Sequence, residues 1–244
     1  MNNNEKVKKT ALPTETVCWG YKANNGPNIW GCLSPEYGLC ADGMHQSPIN
    51  IENPKPMKLP AIAFNYQPTT LNIGNTGNTI AIIYPEGSWI QVGGMQYSLL
   101  QFHFHSPSEH TVAAKQHDME MHFVHKSRNG SLAVIAVFIE NGRHNTAFDS
   151  IWQHLPSVPG ESKWVADVVF NAIDLLPRTR HTYRYDGSLT TPPCSEGVKW
   201  FVITTPIEMP QSQIAAFKAI MHGNNRPVQP LNGREVLIDK RANS

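Results

Sequence analysis

Three histidines and the residues beside them carry the strongest chemical signal in this sequence. In Gln101-Phe102-His103-Phe104-His105 polar and aromatic residues alternate. Successive side chains of a β-strand point to opposite faces, so Gln101, His103 and His105 share one face while Phe102 and Phe104 take the other. Further along, Glu120-Met121-His122-Phe123-Val124 repeats the alternation and puts Glu120, His122 and Val124 on a common face. If these two strands pair, three imidazoles converge. A catalytic zinc site takes three protein ligands and keeps one position for water, whereas a structural site is closed by four. The ring nitrogens turned away from a metal need acceptors that fix their tautomers. Gln101 and Glu120, each two residues before a histidine and on its face, are placed to accept. A His-x-His on a strand is equally the polar face of an ordinary sheet; the flanking aromatics and the second Glu-x-His favour the metal.

The elements that must position these groups are mostly strands. Runs rich in β-branched and aromatic residues, bounded by turn formers, fall at residues 79–84, Trp89–Val92, 97–105, 119–125, 132–139 and 200–205. Asn129-Gly130 tolerates the positive φ of a tight turn, so residues 119–139 are expected to form one β-hairpin. Helical periodicity is scarce: Ile214, Phe217 and Met221 follow Pro210 with helical spacing over residues 211–222, and residues 146–155 are a second candidate. The expected fold is therefore mainly β (α+β), a single domain with a few peripheral helices.

Composition agrees and excludes other classes. Of 244 residues 40% are hydrophobic and only 16% charged, with 19 prolines and 17 glycines, which suits a packed core joined by many turns. A net charge of +1 gives no footprint for nucleic acid or an acidic membrane surface. No apolar run reaches the roughly 18 to 20 residues of a membrane span. Residues 1–16 are polar and lack the apolar segment of a signal peptide. They are expected to be a disordered tail, a remnant after signal removal, ahead of a domain over 17–240. Cys18, Cys32, Cys40 and Cys194 form no Cys-x-x-Cys pair, and four cysteines allow three pairings. Disulfides would point to an oxidising compartment, and buried reduced thiols are the alternative.

Six strings make the reading specific. QFHFHSPSEHT, EMHFVH, GSLTTPPCSEGVKWFV, WGY, QSPINI and NNRPVQPL, spread between Trp19 and Leu237, resemble those of alpha-class carbonic anhydrases and occur in the family's order. The resemblance implies a large twisted, mostly antiparallel sheet of about ten strands. It implies Zn2+ on His103, His105 and His122, and a zinc-bound hydroxide that hydrates carbon dioxide reversibly to bicarbonate and a proton. Gln101 and Glu120 would hold His103 and His122, and the carbonyl of Asn224 would hold His105. Thr190 would accept from the hydroxide and donate to Glu109, while Thr191 would contact bicarbonate. Val124, Val134, Leu189, Val198 and Trp200 would form a dry wall for carbon dioxide. Ser47, His110 and Tyr185 would brace the site. Sulfonamides and anions would inhibit, and esters would be cleaved weakly.

One departure concerns the proton. Where many fast members carry a shuttle histidine, this chain reads Asn75-Thr76-Gly77-Asn78. Asparagine does not titrate near neutral pH. Tyr21, Thr76 and Gln101 can still hold a water chain. By the same resemblance Cys40 pairs with Cys194, the protein is secreted or periplasmic, and a homodimer is expected by association with bacterial members. The extra Cys18 and Cys32 either close a local loop or link two subunits. The competing reading is a metal-free carbonic-anhydrase-like binding protein; such relatives lack ligand histidines, and all three are present here.

Overall fold

The computed structural model describes residues 18–239, so the tail expected at 1–16 lies outside the described residues. Seven strands position the candidate site: β1 (Thr69–Asn75), β2 (Ile80–Ile83), β3 (Met95–His105), β4 (Met119–Ser127), β5 (Leu132–Asn141), β6 (Thr182–Ser188) and β7 (Glu196–Met209). They lie in one sheet in the order β1-β2-β3-β4-β5-β7-β6. Ser162–Phe170 extends it beyond β1, and Leu237–Asp239 then Lys55–Met57 extend it beyond β6. With Ala63–Asn65 and Trp89–Val92 paired at its side, the sheet counts 12 strands among the described residues. Pairing is mostly antiparallel, but β5 and β7 run parallel at the centre.

The hairpin at residues 119–139 forms: β4 and β5 pair from Met119 opposite Ile139 to Lys126 opposite Leu132. Its turn uses positive φ at Gly130 alone, at 91°. Ser127 N donates to Ser131 O at 2.9 Å and Gly130 N to Ser127 O at 3.0 Å, the pattern of a three-residue loop closed by a glycine. The helix expected over 211–222 is Gln211–Met221, stopped by His222 in the left-handed conformation at φ 50°. The 146–155 candidate is a single 3-10 turn, Thr146–Phe148, followed by Asp149–Trp152.

Alternation along β3 and β4 sorts the sheet's two faces. Phe102, Phe104, Met121 and Phe123 enter one large core cluster with Phe148, Phe217 and Ile214. Burying each such ring contributes about 1.5–3 kcal/mol. The opposite face carries the histidines, and beside them a second apolar cluster containing Val134, Val198 and Trp200. The β3–β4 ladder sets His122 opposite His103 and Glu120 opposite His105. A one-residue slip would turn the imidazoles into the aromatic core, so core packing and site share one register.

Candidate metal centre

The three imidazoles meet. Candidate ligand atoms of His103, His105 and His122 lie within 4.8 Å of one another. The other ring nitrogen of each is already engaged: His103 Nδ1 with Gln101 Oε1 at 2.8 Å, His105 Nδ1 with the Asn224 carbonyl at 2.7 Å, and His122 Nε2 with Glu120 Oε1 at 2.7 Å. That leaves Nε2 of His103, Nε2 of His105 and Nδ1 of His122 to face the common centre. His105 Nε2 is buried and has no hydrogen-bond partner, a costly state that a metal ion would relieve. Burial holds His103 well below the ordinary histidine range, and the neighbouring His105 and His122 add to this. Burial lowers His105 as well, against the opposing charge of Glu109. Neutral imidazole is the form that ligates, so the residues present fit a divalent metal.

A buried polar frame holds this centre. Burial alone would raise the Glu120 carboxyl, but His110 and His122, by charge and hydrogen bonding, hold it well below the usual carboxylate range. Glu120 Oε2 accepts from the backbone N–H of Glu109 at 2.9 Å and of His110 at 2.8 Å, while Oε1 meets His110 Nδ1 at 2.7 Å. From His110 Nε2 the network continues 2.6 Å to the Tyr185 hydroxyl, which donates to Ser47 Oγ at 2.8 Å. Asn224 is a hub of its own: its Nδ2 donates to the carbonyls of Phe104 and Asn78 at 2.9 and 3.1 Å, and its Oδ1 accepts from Ser106 N at 2.8 Å.

A cavity of about 470 Å³ opens over the centre, lined by His103, His105, Gln101, Thr191, Tyr21, Thr76 and Asn78 among others. Thr190 and Thr191 sit on the β6–β7 loop, which the Cys40–Cys194 disulfide ties to the N-terminal segment, with Cα atoms 5.1 Å apart. Thr190 is buried, yet no hydrogen bond joins it to Glu109; Glu109 Oε1 accepts from Arg226 N at 2.8 Å and Oε2 is buried without a partner. Val124, Val134, Leu189, Val198 and Trp200 pack together in the second core cluster beside His122, with the Trp200 and His122 ring centroids 4.9 Å apart. None of these five lines the 470 Å³ cavity, whose apolar lining is Trp19, Tyr21, Ala81 and Ile83. His125, on the aromatic face, bonds Tyr66 Oη through Nε2 at 2.8 Å and is not part of the centre. Cys18 and Cys32 are exposed free thiols.

One framing residue was not singled out from sequence. Arg226 is 1% exposed, and its guanidinium donates to the carbonyls of Cys40 and Ser47 and to Gln46 Oε1 at 2.8–2.9 Å. An arginine in a proline-rich polar segment ordinarily reads as surface. Its place inside NNRPVQPL was the available signal.

The family model for eukaryotic-type carbonic anhydrase matches residues 25–240. The chain belongs to the alpha-carbonic anhydrase family. It is 45% identical over 221 residues to a carbonic anhydrase of Neisseria gonorrhoeae, covering 90% of this chain and 87% of that one. A carbonic anhydrase from a Nostoc species is 42% identical over 228 residues, covering 91% of this chain and 86% of the other. Among solved structures, the alpha-carbonic anhydrase of Thermovibrio ammonificans in complex with the inhibitor sulfanilamide superposes with a TM-score of 0.87 at 42% identity, over 91% of this chain and 99% of that one. The chain thus resembles these carbonic anhydrases both in sequence and in the course of its sheet. No helix among the described residues is long and apolar enough to cross a membrane.

Proposed function

We propose that this carbonic anhydrase hydrates carbon dioxide with Zn2+ held by His103, His105 and His122. The observation that carries the proposal is the set of three imidazoles, each with one nitrogen anchored and one turned to a common point. Zinc, when bound, supplies the Lewis acidity that lowers the pKa of a coordinated water from 15.7 to about 7.

The chain's own residues do the rest. Gln101, Glu120 and the Asn224 carbonyl fix the ring tautomers. Glu109 Oε2, buried without a hydrogen-bond partner, is the acceptor we assign to the single hydroxyl proton of Thr190, a bond that this structure does not itself contain. With that proton committed, Thr190 Oγ1 has only acceptor capacity left, so it favours a reactant atom that bears a proton and disfavours one that does not. Thr191 in the cavity wall holds bicarbonate. The apolar group Val124, Val134, Leu189, Val198 and Trp200, packed beside His122, is assigned the dry surface for carbon dioxide. Proton export runs past Tyr21, Thr76 and Asn78, none of which titrates near neutral pH, so it is slow without buffer.

The same site cleaves activated esters weakly and is blocked by sulfonamides and anions. The disulfide suits an oxidising compartment, which supports secretion or a periplasmic location; the active species is expected to be a homodimer. Stopped-flow hydration assays with and without a strong chelator test the reading. Activity should vanish with the chelator and return with zinc; hydration that survives metal removal rejects it.

A further inference from the structure

Cys194 is the strained point of the β6–β7 loop. Its φ is 57°, in the left-handed region that residues other than glycine seldom occupy and keep only where their surroundings over-determine it. Both of its backbone polar groups are held: its N–H donates to the Thr191 carbonyl at 2.9 Å, and its carbonyl accepts from Gln46 Nε2 at 3.1 Å. Leu189 N donates to Ser195 O at 2.9 Å. The segment carrying Thr190 and Thr191 is therefore a closed turn, tied to the N-terminal segment by the Cys40 bridge and by Gln46.

Gln46 is 3% exposed, and its side-chain amide is committed in three directions. Besides Cys194, Nε2 donates to Oε1 of Glu196, the first residue of β7, at 3.0 Å, and Oε1 accepts from the Arg226 guanidinium at 2.8 Å. The backbone N–H of Arg226 donates in turn to Glu109 Oε1 at 2.8 Å. One amide thus stands between the turn that bears Thr190 and the residue that holds the Glu109 carboxyl. An amide donates twice and accepts as well, whereas an ionised glutamate or a methionine has no donor for the Cys194 carbonyl. The chain makes room for it: a Cβ on Gly43 would stand 2.2 Å from Gln46 Nε2, so only glycine lets the amide in.

We propose that Gln46 is a positioning residue, which places the Thr190 hydroxyl for its bond to Glu109 and so for selecting reactant atoms that bear a proton. Its role rests on those given above to Thr190 and Glu109. Without the amide the buried Cys194 carbonyl loses its partner and the strained turn is free to relax, which moves the hydroxyl. The three histidines, on β3 and β4, make no bond to Gln46 and keep their own partners.

The test compares two ligands of the zinc-loaded protein by calorimetry. The nitrogen of benzenesulfonamide still bears a proton after ionising, which Thr190 Oγ1 accepts; thiocyanate has no proton to give. In Gln46→Met and in Gln46→Glu the preference for benzenesulfonamide over thiocyanate should fall about tenfold, the loss of one hydrogen bond to a charged group. A merely structural role would weaken both ligands alike and leave the ratio unaltered. Thr190→Ala is the reference and should lower the same ratio. If Thr190→Ala lowers it and neither Gln46 variant does, the positioning role is overturned while the reading of Thr190 stands. A ratio unaltered even in Thr190→Ala overturns both. Failure of both Gln46 variants to fold also overturns the positioning role, since Gln46 would then serve the fold and not the turn.

Discussion

The Nδ1 of His105 lies 2.7 Å from the backbone carbonyl of Asn224, a residue 119 positions further along the chain. The Asn224 side chain in turn holds Ser106 N and the Phe104 carbonyl, the residues on either side of His105. One residue thus fixes both the ring and the strand end that carries it. Asn224→Ala removes three side-chain hydrogen bonds, two of them buried, and should weaken zinc binding about 10- to 100-fold, as losses of a ligand's hydrogen-bonding partner do. Competition against a chromophoric chelator measures this; unaltered affinity would show that the carbonyl needs no such support.

Asn78 lines the cavity with Tyr21 and Thr76, where a titratable group would reach solvent water. Asn78→His should raise turnover about tenfold at low buffer concentration, since a group with a pKa near the working pH can relay the proton. Wild type should gain more than the variant from added imidazole buffer. Equal turnover of the two proteins at low buffer contradicts the assignment.

The Cys40–Cys194 bridge spans a sequence separation of 154. Replacing both cysteines by alanine frees the unfolded chain and should cost about 4–5 kcal/mol in the chain-entropy account, read from urea unfolding. The β6–β7 loop bearing Thr190 is anchored by the same bridge, so hydration activity should fall before the fold is lost. A double variant as stable as wild type contradicts the first expectation, and one with full activity contradicts the second.

His125 is buried against Tyr66, and burial pushes its pKa down to about 3. In the unfolded chain it protonates near 6.5. Between about 6.5 and 3 the unfolded state binds a proton that the native state refuses, so stability falls by up to about 1.4 kcal/mol per pH unit as the solution is acidified. Urea midpoints of metal-free protein from pH 7 to 4 should decline less steeply in His125→Asn. Parallel declines would remove His125 from the account.

What could be read from sequence follows the strength of local patterns. β3 and β4 alternate cleanly because one face is aromatic core and the other is polar, and both strands and the hairpin between β4 and β5 were legible. Ser162–Phe170 was not: its ladder slips between Val165 and Val169, which breaks the period and leaves Trp164 and Val169 exposed on an edge strand. Thr182–Ser188 is polar in sequence because Tyr185 turns its hydroxyl into the buried frame, so it carries little apolar signal. The parallel pairing of β5 with β7 has no local signature, since it joins segments separated by a long connection. Within the candidate site the residues two before His103 and His122 could be derived from strand geometry. Asn224 rested on family resemblance, because nothing in its immediate surroundings announces a partner 119 residues away, and the expected bond from Thr190 to Glu109, which rested on the same resemblance, is not formed in this structure.

The most direct test of the account is the zinc content of the purified protein set beside its rate of carbon dioxide hydration, in wild type and in His103→Ala, His105→Ala and His122→Ala. The account predicts about one zinc per wild-type chain, and loss of tight zinc and of hydration together in every variant. Full zinc occupancy in any of the three variants, or hydration by protein shown to be free of metal, would contradict it.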